Sequence, residues 1–275
     1  MDVLRLASFS DGPTGGNPAG VVIADALPSA EEMQRIAAEV GYSETAFAAP
    51  LGERWRVRYF APETEVPFCG HATIALASAL ATRVGDGAYA LVLNEAEITV
   101  SGRRTGDLVA AELASPPTRS RPIEADVLAE SLALFGLGAA DLDPAIPPAR
   151  IHAGADHLVL PLASRETLAG MAYDFETGRR LMQREGWITI LLVWAESDRL
   201  FHSRNAFAAG GVVEDPATGA STAAFAGYLR DLGRASEGTI DLVQGEDMGI
   251  RCRLHAAFGP VPGSAITLSG TTRSI

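Results

Sequence analysis

Glu65-Val66-Pro67-Phe68-Cys69-Gly70-His71-Ala72-Thr73 lines up with Glu214-Asp215-Pro216-Ala217-Thr218-Gly219-Ala220-Ser221-Thr222. The glutamate, the proline, the glycine and the last threonine coincide in register, and each stretch leads into an alanine-rich segment that ends at Leu80 or Leu229. A chance match of four positions in nine is the alternative. The shared strand–turn–helix context favours an internal duplication and therefore predicts two similar halves.

Each repeated stretch places a proline and a glycine immediately before a predicted helix. The first N–H groups of a helix lack partners and carry about half a positive charge, so a helix start binds anions, and glycine lets a ligand approach closely. Two such starts facing one another would hold a small carboxylate. The alternative is a pair of ordinary capped helices whose starts meet water. The substrate-binding candidates at these starts are Gly70, Ala72, Gly219, Ala220 and Ser221.

The composition excludes several classes of function. The 275 residues include 34 acidic and 22 basic side chains, which give a formal charge of −12, and every base is an arginine. A field of this sign disfavours nucleic-acid and anionic-membrane partners. The absence of lysine excludes a lysine Schiff base and a P-loop lysine.

No motif predicts a cofactor or a metal centre. Cys69 and Cys252 form no CxxC pair, the glycine-rich stretch 12–20 is not GxGxxG, and no GxSxG occurs. Four histidines lack the spacing of a metal site: His152, His157, His202 and His255. The N-terminus has no leader pattern and no window approaches the roughly 18 apolar residues of a membrane span. We therefore expect a cytoplasmic protein that uses neither cofactor nor metal.

Local patterns place the main elements. Ser29 and Glu32 have capping-box spacing before a helix that Gly41 ends, and 54–59 alternates as a strand. A second, apolar helix is expected at 71–82. Further predicted segments are helices at 126–135 and 164–171 and strands at 157–162 and 187–194.

The stretch 114–122 is rich in proline and polar residues and is interpreted as the boundary between the halves. We predict an N-terminal half at 1–117, completed by a C-terminal strand near 264–275, and a C-terminal half at 118–263.

Three ionisable residues are candidates for chemistry. Glu44 lies between the helix stop and an apolar strand, where it is either a general acid/base or a solvated loop carboxylate. His71, at a helix start, either donates to a substrate carboxylate or is a cap or core-edge histidine. Asp215 either orients a ligand or caps its helix.

Five segments, taken in order, resemble the phenazine-biosynthesis (PhzF-like) protein family. They extend from near residue 9 to near residue 255, which is essentially the whole chain. The segments are GNPAGVV at 16–22, SETAF at 43–47, CGHAT at 69–73, EDPATG at 214–219 and VQG with MG at 243–249.

The resemblance implies a diaminopimelate-epimerase-like fold of the α+β class. Such a fold has two pseudo-symmetric halves, each a curled, mostly antiparallel sheet around a central helix, with the site in the cleft, and the proteins are usually homodimers. It implies a cofactor-independent isomerase acting on a small anionic metabolite, in which Glu44 moves a proton between carbons of an unsaturated or ring carboxylate. His71 and Asp215 then have supporting roles, and Asn17 binds substrate.

Two departures from the family pattern bear on substrate contacts. Ala220 and then Ser221 follow the second glycine, where the family usually has serine directly, so a hydroxyl donor is lost or displaced by one residue. Gly249-Ile250-Arg251 stands where Gly-Arg-Pro is common, which moves or removes a guanidinium. Both changes favour a substrate other than the phenazine precursor.

Rival functions use the same scaffold. Racemases of this fold use two opposed cysteines, but Thr218 occupies one of the positions and is too weak an acid to replace a thiolate. A lyase that removes water from a hydroxy acid and a non-catalytic small-anion binding protein stay open.

Overall fold

The computed structural model describes residues 2–234 and 237–275, and the chain forms two compact units. The first unit comprises Met1–Ala114 and Ser269–Ile275, and the second comprises Ser115–Leu268. Within the described residues, no helix combines the length and the apolar character that a bilayer crossing requires.

In the described part of the first unit, the N-terminal segment contains two α-helices and most of the strands. The helices are α1 (Ala30–Val40) and α2 (Gly70–Val84). The strands are β1 (Leu4–Ser10), β2 (Asn17–Ile23), β3 (Thr45–Leu51), β4 (Arg54–Phe60), β5 (Glu65–Val66), β6 (Gly87–Val92), β7 (Glu97–Thr105) and β8 (Leu108–Ala114).

The strands of the first unit form one continuous run. In this run β1 pairs antiparallel with β2, β2 parallel with β3, β3 antiparallel with β4, β4 parallel with β6, and β6–β7–β8 antiparallel. Helix α2 contacts β1, β2 and β3 as well as β7 and β8. Because one helix touches strands from both ends of the run, the sheet curls around it.

Among its described residues, the second unit contains four α-helices and the remaining strands. The helices are α3 (Ala125–Leu134), α4 (Arg165–Ala169), α5 (Phe175–Glu185) and α6 (Gly219–Asp231). The strands are β9 (Thr118–Pro122), β10 (Ala149–Ala153), β11 (Asp156–Leu162), β12 (Thr189–Ala195), β13 (Leu200–Ala206), β14 (Glu214–Asp215), β15 (Gly238–Gln244) and β16 (Cys252–Phe258). The last strand, β17 (Thr267–Ser274), pairs antiparallel with β1 through its C-terminal residues.

The second unit repeats the strand pairing of the first. Strands β10–β11–β12–β13–β15–β16 pair antiparallel, parallel, antiparallel, parallel and antiparallel, in the same order as β1–β2–β3–β4–β6–β7. Helix α6 contacts β9, β10, β11 and β16, again strands from both ends of the run. The predicted fold class, two similar halves with a central helix each, is confirmed.

The central helices are buried because their sequences are small and apolar on every face. All residues of α2 from His71 to Ala81 are buried, and so are those of α6 from Ser221 to Arg230. A helix that is apolar all round belongs in a core. A Cβ at Gly102 of β7 would lie 2.5 Å from the backbone oxygen of Ala77, so the strand packs directly on the helix backbone.

Most local predictions match the elements, with differences at the ends. Helix α1 begins after Ser29, whose hydroxyl accepts from the Glu32 N–H, and ends at the left-handed Gly41. The helix expected at 71–82 extends over Gly70–Val84. The stretch 114–122, interpreted as the boundary between the halves, contains the division of the two units after Ala114, and its second half, Thr118–Pro122, is a strand paired with β10.

Candidate active site

Glu44 occupies the short turn between α1 and β3. Its backbone oxygen accepts from the Gly20 N–H at 3.2 Å, which fixes the turn beside the start of the β2–β3 pairing. The side chain is 21% exposed, yet its Oε2 atom is buried and has no hydrogen-bond partner among the described residues. A carboxylate oxygen in this condition is available to a ligand.

His71 lies beside this carboxylate, at the start of α2. The His71 Nε2 atom is 3.4 Å from Glu44 Oε2, a contact without hydrogen-bond geometry, and 3.3 Å from the Ser43 hydroxyl. The ring is 8% exposed. Glu44 and His71, both predicted as site residues, thus lie in contact within one unit.

Cys69 completes the cluster at the start of α2. Its Sγ atom lies 3.3 Å from His71 Nδ1 and 4.0 Å from His71 Nε2. Side chains two residues apart do not face each other within a helix, but Cys69 is the extended N-cap residue, and this brings its thiol to the imidazole. The sulfur, the imidazole and the Glu44 carboxylate present atoms that all lie within 4.8 Å of one another.

The first turn of α2 is held from two sides. The Ser8 hydroxyl donates to the His71 carbonyl at 2.7 Å. The Thr73 hydroxyl donates to the Cys69 carbonyl at 2.7 Å and accepts from the Tyr59 hydroxyl at 2.6 Å. Burial raises the pKa of Tyr59, so the phenol stays protonated and keeps donating.

The other predicted binding residues of the first unit surround this turn. Gly70 and Ala72 flank His71 in the first turn of α2. Asn17 is 3% exposed and pairs in register with Ser8, the residue that holds the His71 carbonyl. Asn17 therefore belongs to the same neighbourhood by backbone position.

Asp215 lies at the corresponding place in the second unit, at the end of β14. Its Oδ2 accepts from the Thr218 hydroxyl at 2.6 Å, and its Oδ1 lies 3.5 Å from the Ala217 N–H. Gln244 is fully buried; its side-chain amide donates to the Asp215 carbonyl at 2.7 Å and accepts from the Thr218 N–H at 3.2 Å. Asp215 and Gln244 together shape the loop that starts α6.

Sequence reasoning did not assign Ser43, Cys69 or Gln244 to the site. Ser43 and Cys69 are the first residues of the quoted SETAF and CGHAT segments, and Gln244 belongs to the C-terminal segment used for the family resemblance. Membership of those motifs was the available signal. The contacts that give these residues roles depend on the folded chain.

Comparison with known proteins places the chain in a family. A family model described as "Phenazine biosynthesis-like protein" (PhzC-PhzF) matches residues 6–272. The chain belongs to the PhzF family. It is 34% identical over 230 residues to an uncharacterized isomerase of Pseudomonas aeruginosa, covering 83% of this chain and 81% of that protein.

Two further PhzF-family relatives extend the likeness to the whole chain. The trans-2,3-dihydro-3-hydroxyanthranilate isomerase of Pseudomonas fluorescens is 30% identical over 269 residues, which cover 96% of this chain and 91% of that protein. The crystal structure of a Bacillus anthracis PhzF-family protein superposes with a TM-score of 0.88 at 23% identity and covers 100% of this chain and 98% of that one. The relatives are named isomerases, and this PhzF-family chain is an enzyme of the isomerase class.

The departures from the PhzF pattern acquire a structural meaning. Ser221 is fully buried and its hydroxyl donates to the Thr218 carbonyl at 3.1 Å, within its own helix. The displaced hydroxyl therefore does not replace the missing one at Ala220. The Arg251 guanidinium donates to Glu246 at 2.5 Å, so part of its hydrogen-bonding capacity is used on the neighbouring loop.

Proposed function

We propose that the protein is a cofactor-independent isomerase that moves a proton on a small unsaturated or ring carboxylate, with Glu44 as general acid/base. The observation that carries this proposal is the Glu44 carboxylate, whose buried Oε2 atom lacks a hydrogen-bond partner and lies 3.4 Å from His71 Nε2. A carboxylate oxygen without a hydrogen-bond partner has a lone pair that can accept a proton. The nearby positive helix start can stabilise the negative charge that develops on the substrate.

The proposed step balances without an added reagent. Glu44 removes a proton from one carbon, and the electron pair of that C–H bond moves into the conjugated system that ends at the substrate carboxylate. The N–H groups around Gly70 and Ala72 stabilise the charge that develops there, at roughly 3 kcal/mol for each well-placed donor. Protonated Glu44 then returns the proton to another carbon, so substrate and product have equal mass.

The cluster in the first unit favours this one-base route over racemisation by two bases. Inversion at one carbon requires a base and an acid on opposite sides of that carbon. Glu44 and Cys69 instead present atoms within 4.8 Å of each other, side by side. The Thr218 hydroxyl donates to Asp215, and this bond supports a structural role for Thr218.

Glu44→Gln tests the proposal, since it keeps the shape of the side chain and removes the titratable group. The assay is deuterium uptake from D₂O, followed by mass spectrometry and NMR, into trans-2,3-dihydro-3-hydroxyanthranilate and a panel of unsaturated ring carboxylates. Loss of a general acid/base costs about 10²–10⁴-fold in rate. Glu53→Gln, at an exposed carboxylate in the β3–β4 turn, is the matched control and should exchange normally.

The same experiment separates the rival functions. A product lighter by one water contradicts isomerisation and supports a lyase. Unchanged exchange in Glu44→Gln contradicts the role of Glu44. Absence of turnover in the wild type, together with equal ligand affinity in wild type and Glu44→Gln, supports the binding protein instead.

We also propose that Asp215 orients the substrate and that the protein is a homodimer, and each proposal has its own test. Asp215→Asn should weaken substrate binding if the carboxylate orients a ligand and should lower only stability if it is a cap. Light scattering on the purified protein checks the dimer, which a monomer mass would contradict.

A further inference from the structure

The cluster at the start of α2 contains three different metal-ligating groups. Glu44 contributes a carboxylate oxygen, Cys69 a sulfur and His71 an imidazole nitrogen, all within 4.8 Å of one another. Cys69 and the His71 ring are each 8% exposed, whereas Glu44 is 21% exposed. The cluster is therefore largely shielded from bulk water, and Glu44 is its most exposed member.

The distances suit a tetrahedral zinc ion. Zinc binds sulfur at about 2.3 Å and nitrogen or oxygen at about 2.0–2.2 Å, so the ligand atoms of a tetrahedral site lie roughly 3.3–3.6 Å apart. His71 Nε2 is 3.4 Å from Glu44 Oε2 and 4.0 Å from Cys69 Sγ. The sulfur lies closer to Nδ1, at 3.3 Å, so it must approach Nε2 by about 0.4 Å for zinc to bind both atoms.

A second observation concerns the Glu44 carboxylate of this cluster. The Glu44 Oε2 atom is buried, and no hydrogen-bond donor among the described residues satisfies it. A cation bound at Oε2 would satisfy this oxygen. The positive start of α2 opposes a cation, but a carboxylate and a thiolate supply two full negative charges against about half a positive charge.

The geometry points to a Zn²⁺ site formed by Glu44 Oε2, Cys69 Sγ and His71 Nε2, which leaves the fourth coordination position open. A thiolate and an imidazole select zinc over magnesium or calcium, which prefer oxygen ligands. Binding displaces the thiol proton to solvent, forms the Zn–S bond and occupies the lone pair of Glu44. Zinc is consequently an inhibitor and not a cofactor of the isomerase; this part rests on the proposed function of Glu44.

Metal binding is measured without any substrate. Zn²⁺ affinity is determined by competition with a chromogenic chelator, and Co²⁺ serves as a spectroscopic probe because a thiolate ligand gives a near-ultraviolet charge-transfer band. We expect one site per chain and a thiolate–cobalt band. Cys69→Ser should lose the band and at least tenfold in Zn²⁺ affinity, since even outer-shell changes cost 10–100-fold.

The second cysteine provides the matched control. Cys252 is buried in β16, and its sulfur donates to the Ile250 carbonyl at 3.3 Å. Cys252→Ser should keep both the band and the affinity. If it loses them while Cys69→Ser keeps them, or if the wild type binds no Zn²⁺, the site is refuted. Glu44→Gln removes a ligand at almost constant volume and should also lose at least tenfold in affinity, which guards against a folding defect in Cys69→Ser.

Inhibition is tested separately in the deuterium-exchange assay. Zn²⁺ should stop exchange in the wild type, and EDTA should restore it. Full exchange at a Zn²⁺ concentration that saturates the cobalt-defined site would overturn inhibition. If the wild type exchanges no carboxylate at all, the proposed function fails, while the chelator and cobalt measurements still decide whether the metal site exists.

Discussion

Arg204 donates two hydrogen bonds to Glu214, from Nε to Oε1 at 3.0 Å and from Nη2 to Oε2 at 2.5 Å. Arg58 binds Glu65 in the same bidentate way, at 2.7 and 2.5 Å. Each arginine lies two residues before the strand position that pairs with its glutamate, in β4–β5 and in β13–β14. The duplication read from the sequence thus extends to an ion pair ahead of each central helix.

The two ion pairs differ in burial, and this predicts unequal effects of arginine removal. The side chains of Arg204 and Glu214 are 12% and 5% exposed, whereas those of Arg58 and Glu65 are 23% and 28% exposed. Arg204→Ala leaves a buried carboxylate without its partner and should cost about 3–5 kcal/mol of unfolding free energy. Arg58→Ala should cost less than half of that in urea denaturation. Equal losses of unfolding free energy in the two variants would contradict the prediction that the more buried ion pair is the more costly one to break.

Gly102 and Gly87 give a second matched comparison, because they pair with each other in β6–β7. An added Cβ at Gly102 would lie 2.5 Å from the Ala77 backbone oxygen and 2.9 Å from Ala81 Cβ, whereas at Gly87 it meets nothing within 4 Å. Gly102→Ala should lose about 1–3 kcal/mol because α2 must move away from the sheet. Gly87→Ala should be neutral or slightly stabilising. Denaturation midpoints check both; a neutral Gly102→Ala would show that α2 yields easily.

The two repeated stretches predicted the fold because the residues that determine each helix start lie within the stretch itself. In each stretch a proline and a glycine precede a segment that is apolar on every face, which predicts a buried helix, and the two stretches led to α2 and α6. Composition did not predict the strand at 118–122, where proline and charge favour a loop but pairing with β10 makes a strand. Helix α5 was not predicted, although Asp174 and Gly186 have capping positions at its ends.

The sequence predicted only those residues of the candidate site that lie in short local motifs. Glu44 and His71 stand in short motifs, and the structure brings them to 3.4 Å. The hydroxyl of Ser8, which holds His71 from 63 residues away, and the amide of Gln244, which holds Asp215, depend on strand register. No local pattern encodes such long-range contacts, so the sequence alone did not predict them.

His157 predicts a pH dependence of stability. Burial lowers the pKa of this fully buried imidazole from 6.5 to about 3. The single hydrogen of Thr189 Oγ1 goes to Asn205, so His157 Nδ1 carries the proton donated to Thr189 at 2.8 Å. His157 Nε2 is left as a buried acceptor with no partner in the part of the chain that the structure describes.

The direction of this pH dependence follows from the protonation of His157 in the unfolded and folded chains. The unfolded chain takes up a proton at His157 below about pH 6.5 and the folded chain does not until about pH 3, so stability is lost as the pH falls through that window. At pH 5 the loss is about 2 kcal/mol. His157→Asn keeps a donor near Thr189 and cannot titrate. Urea denaturation at pH 7 and pH 5 should therefore show a smaller loss in the variant; equal losses would mean that His157 does not contribute.

Ser221 and Ala220 test what the displaced hydroxyl does. Because the Ser221 hydroxyl is fully buried and donates to Thr218 at 3.1 Å, Ser221→Ala should lower stability by about 0.5–1.5 kcal/mol and leave the substrate KM unchanged. Ala220 is partly exposed in the first turn of α6, so Ala220→Ser adds a donor where family members usually have one. If that turn binds the substrate carboxylate, Ala220→Ser should shift KM several-fold with little change in unfolding free energy. A changed KM in Ser221→Ala, with an unchanged KM in Ala220→Ser, would contradict this prediction. It would mean that the buried Ser221 hydroxyl reaches the substrate, because a hydroxyl bonded only within its own helix cannot alter substrate affinity.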